Sequence, residues 1–160
     1  MADLMQFWPL GQRRILEIGC GLGLASLVIH RRMGNITASD VHPYTQRFLQ
    51  FNLHLNNLPA MAYFAGDWAG SNAALGLFDL IIGSDVLYER NHPAQLAGFI
   101  QRHAASQAQV LIMDPNRGQR GAFHKAMEKL GFELTQTNIL TPLQDDTPYR
   151  GRLLNYQRGE

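Results

Sequence analysis

Cysteine is nearly missing from this chain of 160 residues, with Cys20 the single example. One thiol cannot close an internal disulfide, so the fold is expected to hold without one, in agreement with a reducing, cytoplasmic setting. No apolar run approaches the roughly 20 residues of a membrane-spanning helix. The opening Met1-Ala2-Asp3-Leu4-Met5-Gln6 also lacks the basic segment and apolar core of a secretion signal. An excess of one charge is missing too: Lys and Arg number 14 and Asp and Glu 13, for a formal net charge of +1. Arginines pair at Arg13-Arg14 and Arg31-Arg32, but no basic run reaches five residues. That argues against a strong nonspecific nucleic-acid binder. The six histidines and one cysteine fall at no metal-ligand spacing, so no metal site is expected. Neither a G-x-S-x-G elbow nor a phosphate-loop lysine is present.

What is present is 46% hydrophobic content, enough for one core, and the chain is expected to form one domain over residues 1–160 with a short N-terminal segment at 1–12. Strand-like and helix-like segments alternate throughout. Strands are read near 14–18, 35–40, 61–65, 78–83, 108–113, 132–138 and 151–157, with helices near 23–33, 44–57, 92–105 and 119–130. Asn56-Asn57-Leu58-Pro59 stops the second helix and Gly131 the last. Such alternation predicts an α/β fold, a mostly parallel sheet with helices on both faces. In open sheets of this kind ligands bind at the carboxyl ends of the strands.

The first of those ends is the most informative. Ile15-Leu16-Glu17-Ile18 runs into Gly19-Cys20-Gly21-Leu22-Gly23, and Leu24-Ala25-Ser26-Leu27 then reads as the start of a helix. Glycines between a strand and a helix N-terminus let backbone approach a nucleotide-like ligand closely. A dinucleotide fingerprint would need its third glycine at position 24, where this chain has leucine. The glycine comes one residue early, at Gly23, and Glu17 is a feature the dinucleotide pattern does not require. Further on, Asp40 ends the second strand about 20 residues past the glycine loop, the placement of a carboxylate that accepts from a ribose diol. His42 is read as a surface residue beside the site. Asp67-Trp68 follows the third strand, where a carboxylate and an indole suit an adenine. The fourth strand, Phe78-Asp79-Leu80-Ile81-Ile82-Gly83, empties into Ser84-Asp85-Val86-Leu87-Tyr88-Glu89. Asp85 and Tyr88 share the spacing of the D-P-P-Y signature of base-amine methyltransferases, but Val86-Leu87 replaces its two prolines.

The E-x-G-x-G-x-G run resembles the first motif of class I S-adenosylmethionine-dependent methyltransferases. The cluster Ser84 to Glu89 resembles methyltransferase family 16, seven-strand enzymes that mostly methylate protein lysines. Trp8-Pro9 ahead of the first strand, Asp67-Trp68 after the third and Asp114-Pro115-Asn116-Arg117 after the fifth belong to the same resemblance. It implies a Rossmann-like seven-stranded sheet whose last strand is antiparallel, and S-adenosyl-L-methionine as cofactor. It implies Glu17, Gly19, Gly21, Gly23, Asp40, Asp67, Trp68 and Ser84 around that cofactor, with Glu17 near its amino group. Asp85 and Tyr88 are then the catalytic pair where a substrate amine enters, and a protein is the expected partner. Cys20 reads as packing within the loop. Family members usually carry a longer segment before the Trp-Pro pair, whereas seven residues precede Trp8, so the site is expected either to be open or to belong to a piece of a longer chain. A small-molecule or nucleic-acid acceptor, a dinucleotide-dependent oxidoreductase and a non-catalytic cofactor-binding module are the alternatives.

Overall fold

A computed structural model describes residues 1–139 and 150–159. The strands are β1 (Arg14–Ile18), β2 (Asn35–Asp40), β3 (Ala62–Ala65), β4 (Phe78–Ser84), β5 (Ala104–Asp114), β6 (Glu133–Ile139) and β7 (Gly151–Arg158). The helices are α1 (Ala2–Met5), α2 (Leu24–Arg31), α3 (Thr45–Leu55), α4 (His92–His103) and α5 (Arg120–Glu128). One seven-stranded sheet has the order β3-β2-β1-β4-β5-β7-β6. Neighbours from β3 through β5 pair in parallel, and β7 alone runs antiparallel, between β5 and β6. The expected α/β class, strand count and antiparallel last strand are all present.

The sheet is buried on both faces because its central strands are apolar on both. β1 is buried at all four positions after Arg14, and β4 at Leu80, Ile81, Ile82 and Gly83. Ile15, Leu80 and Ile82 pack with Ala25 and Ile29 of α2 and with Met5 of α1. Leu49 and Leu53 of α3 join that side through Ala38 and Leu27. Leu16, Ile18 and Ile81 point the other way, onto Leu96 and Ile100 of α4 and Phe123 and Met127 of α5. Period-2 alternation along each strand thus builds two cores from one sheet.

Three details depart from the sequence reading. Residues 2–5, in the segment read as having no element, form the short α1, tied down where Arg32 donates to the carbonyls of Met5 and of Trp8, the latter at 2.9 Å. A 3₁₀ turn at Ala73–Leu75 was not expected, and it buries Leu75 beside Phe78. Helix α4 runs directly into β5 at Ala104, where a helix to 105 and a strand from 108 were read. The cause is distant in sequence. Arg158 donates to the carbonyls of Ala104 at 3.2 Å, Ala105 at 2.7 Å and Ser106 at 3.2 Å, holding extended a stretch with no strand-like pattern of its own.

Strand order reverses between β1 and β4: the chain leaves β1 toward β2 and β3 on one side and returns through β4 and β5 on the other. A crevice opens outside the carboxyl ends of strands at such a switch point. Gly19 and Asp85 flank it.

Candidate active site

The loop after β1 turns because glycine permits it. Gly19 has φ +58 and Gly23 φ +74, values that L side chains rarely adopt. A Cβ at Gly19 would also stand 3.0 Å from Val86 Cγ1 and 3.8 Å from the Trp68 ring, so the bare backbone lets the walls of the crevice close on the loop. At Gly23 a Cβ would meet Leu49 Cδ1 at 2.5 Å. Gly21, also at positive φ, donates its N–H to Asp40 Oδ2 at 2.9 Å. Asp40 Oδ1 accepts from the backbone N–H of His42 at 2.8 Å. Asp40 thereby fastens the loop after β2 and the loop after β1 to one carboxylate.

These loops form one wall of a cavity of about 420 Å³ lined by Gly19, Asp40, Asp67, Trp68, Asp85 and Tyr88, together with Val86, Glu89 and His92. Six of the ten residues singled out from the sequence meet there. Asp67 lies at its edge, exposed, with Oδ1 accepting from the N–H groups of Ala69 and of Gly70, the latter at 3.0 Å. Arg102 of α4 clamps the same turn, donating to the carbonyls of Trp68 at 2.7 Å and Gly70 at 2.9 Å. Gly21, Gly23, Ser84 and Glu17 are outside the lining. His42 is exposed and also outside it.

Glu17 has its carboxylate turned inward. It is 4% exposed, and its Oε2 accepts from the backbone N–H of Ser26 at 2.8 Å and from the Ser26 hydroxyl. Ser26 lies in the first turn of α2, whose leading N–H groups have no helical partners, so a Glu17 carboxyl oxygen is the acceptor at that helix N-terminus. Burial pushes its pKa up to about 7, with the Ser26 hydrogen bonds pulling the other way. Burial also pushes the Cys20 thiol up, which suits a packing residue and not a thiolate nucleophile.

The opposite wall comes from β4 and α4. Asp85 follows the end of β4 with φ +55, its N–H bonded to the Met113 carbonyl at 2.8 Å. That bond extends the β4–β5 ladder and fixes the carboxylate at the mouth of the cavity. Arg117, on the loop after β5, grips it with two donors, Nε to Oδ1 at 2.8 Å and Nη2 to Oδ2 at 2.6 Å. The Asp85 carboxylate holds the Arg117 pKa above its ordinary value. Tyr88 is 58% exposed and packs edge-on against His92, with ring centroids 4.6 Å apart. His92 is in turn edge-on to Trp68 at 5.1 Å. Its Nδ1 is 3.0 Å from the Val86 carbonyl, and its Nε2 is 3.5 Å from Glu89. His92 therefore joins the indole and phenol walls of the cavity.

Sequence reasoning assigned no role to Arg117, His92 or Arg102. Arg117 was in view as the end of the Asp-Pro-x-Arg segment, and that motif was the signal that could have found it. His92 and Arg102 carry no local pattern. Among the described residues no group of three or more His, Cys, Asp and Glu is arranged to hold a metal.

A glycine loop, a carboxylate at the end of the second strand and a cavity at the switch point of a seven-stranded sheet define the class I methyltransferase fold. Solved structures agree on the fold. An O-methyltransferase family protein from Burkholderia thailandensis superimposes with a TM-score of 0.78 at 14% identity, covering 100% of this chain and 55% of that one. A ribosomal protein L11 methylase from Lactobacillus delbrueckii subsp. bulgaricus does so with a TM-score of 0.77 at 17% identity, over 99% of this chain and 77% of that one. The lysine methyltransferase family model matches residues 3–130, and the chain belongs to that family. Among curated relatives, it is similar to the protein N-lysine methyltransferase METTL21A of Xenopus tropicalis, at 29% identity over 75% of this chain and 57% of the relative. The Danio rerio protein of that name is 36% identical over 52% of this chain and 41% of the relative. The chain thus spans about half the length of the curated relatives it matches.

Proposed function

We propose that this chain is an S-adenosylmethionine-dependent methyltransferase whose acceptor is a lysine side-chain amine of a protein. The observation that carries the reading is the single cavity that joins Asp40 and Trp68 on one wall to Asp85 and Tyr88 on the other, in a chain of the lysine methyltransferase family. The residues present fit the cofactor: Gly19 offers backbone where a Cβ would crowd Val86, Asp40 offers carboxylate oxygens to a diol, and the Trp68 indole offers an apolar face. Gly21 and Gly23 hold the loop's course, Asp67 shapes the turn that presents Trp68, and Ser84 ends the strand that presents Asp85. Glu17 acts through α2, by anchoring the helix that follows the loop. When bound, S-adenosylmethionine supplies an electrophilic methyl group on a sulfonium.

The protein's own task is positioning. A lysine amine is protonated in water, with a pKa near 10.4, and only the neutral amine is a nucleophile. Asp85 attracts the incoming cation and Tyr88 orients it with a hydroxyl group that can donate or accept. The apolar faces of Trp68 and Val86 keep water away, which favours the neutral amine. Residues 1–160 are read as one domain acting in the cytoplasm; among the described residues no helix is long and apolar enough to cross a membrane.

Incubating the protein with a cell extract and S-adenosylmethionine labelled in its methyl group tests the reading. Label is expected in the protein fraction, recovered as N-methyllysine after hydrolysis. Recovery in nucleic acid or in small metabolites would overturn the lysine assignment while keeping the methyltransferase one.

A further inference from the structure

Asp85 is the carboxylate assigned above to the acceptor amine, yet both of its oxygens are taken by Arg117, at 2.8 and 2.6 Å. A planar guanidinium matches a carboxylate two bonds at a time, so another cation meets Asp85 with its charge already paired. The two partners differ in freedom. Asp85 is pinned by its backbone, with φ +55 and the N–H bond to Met113 at 2.8 Å. Arg117 stands on a loop with 51% of its side chain exposed, where water readily replaces a lost ion-pair contact. When one partner of this pair moves, it is the arginine. The Asp114 carboxylate, 1% exposed with Oδ2 unpartnered, also attracts the Arg117 charge.

We propose that Arg117 sets the specificity of the acceptor side: its guanidinium occupies Asp85 until a primary ammonium displaces it. The inference rests on the assignment of Asp85 to the acceptor amine. Its consequence is discrimination by presentation. A free alkylamine must compete with a cation permanently tethered at the carboxylate and loses. A lysine held at the cavity by a docked protein competes at a high effective concentration and wins. Arg117 acts through Asp85, as a positioning residue.

The test titrates n-butylammonium chloride, a lysine side-chain mimic, into the full chain saturated with S-adenosylhomocysteine, with n-butanol as the neutral counterpart. Arg117→Gln is expected to bind n-butylammonium about tenfold more tightly than the parent, since a competent state populated about one-tenth of the time weakens binding by that factor. Arg117→Lys keeps a competing cation and should stay near the parent. Binding of n-butanol should not change. The idea fails if Arg117→Gln shows no gain or no detectable binding, or if n-butanol gains equally, since that would mean removal of bulk and not of charge. Adding Asp85→Asn to Arg117→Gln is expected to abolish the gain. A gain that survives in the double variant puts the cation elsewhere and overturns the Asp85 assignment itself. Asparagine tolerates the left-handed backbone at 85, so the double variant keeps the local fold.

Discussion

Asp40 accepts the backbone N–H of Gly21 at 2.9 Å, so the carboxyl end of β2 is hydrogen-bonded to the glycine loop that leaves β1. The same side chain holds the N–H of His42 at 2.8 Å. Its removal therefore acts twice, by taking away the group assigned to the ribose diol and by loosening two loops. Losing hydrogen bonds to a charged acceptor costs about 1.5–3 kcal/mol, or roughly ten- to a hundredfold in affinity. Asp40→Ala should weaken S-adenosylhomocysteine binding by that factor in calorimetry, and unchanged affinity would contradict the ribose assignment. Asp40→Asn keeps one acceptor oxygen and should fall between the two.

Asp85 makes the opposite prediction. It belongs to the acceptor wall, so Asp85→Asn should lower the single-turnover rate of methyl transfer by about a hundredfold, the scale of a lost electrostatic positioning group. Cofactor affinity should stay within about twofold of the parent. Asparagine is the informative replacement because φ is +55 at this position. Alanine would add backbone strain to the chemical change. A collapse of cofactor affinity in Asp85→Asn would move this residue to the cofactor side.

The contrast between Asp40 and Asp85 also shows what was legible in the sequence. Both are short-range signals, carboxylates just past apolar strands, and both line the cavity. The alternation of strands and helices was equally readable, and with it the mostly parallel sheet, whereas the order of its strands was not read. The geometry of Glu17 was not readable. The family resemblance put it near the cofactor's amino group, but the pleat that places Ile15 against α2 places Glu17 there too, and Ser26 takes its carboxylate. The Asp85–Arg117 pair spans 32 residues, and the grip of Arg158 on Ala104 spans 54. Such pairs depend on which loops the sheet order brings together, and no local periodicity encodes them. The early start of β5 is the clearest case, since an arginine from the far end of the chain holds the carbonyls of Ala104, Ala105 and Ser106, and Ala104 pairs with Phe78 of β4.

Trp68 offers a direct optical test of the cofactor wall. The chain has two tryptophans, and Trp8 is half-buried against the core that holds Met5 and Ile29, outside the cavity lining. Titration with S-adenosylhomocysteine should quench the emission of Trp68 through contact with the adenine. The quench should persist in Trp8→Phe and vanish in Trp68→Phe, which keeps an apolar ring in the wall. Quenching retained in Trp68→Phe would place the adenine elsewhere.

Glu17 predicts a pH dependence of stability with a definite sign. Its pKa is about 7 in the folded chain, raised from an ordinary 4.5, chiefly by burial. Between those values the folded state holds a proton that the unfolded state has released, so stability falls as pH rises. The contribution is complete below about 4.5, is lost through about 7, and changes no further above that. A rise from 4.5 to about 7 corresponds to roughly 3 kcal/mol. Glu17→Gln removes the titration and keeps an oxygen to accept from Ser26. Urea unfolding at pH 5 and pH 8 should therefore show the parent losing stability relative to Glu17→Gln at the higher pH, by up to that amount. The converse, a parent that gains on Glu17→Gln as pH rises, would mean that the ionised carboxylate is the preferred partner of Ser26 and of the α2 N-terminus, with its charge and not its burial setting the balance.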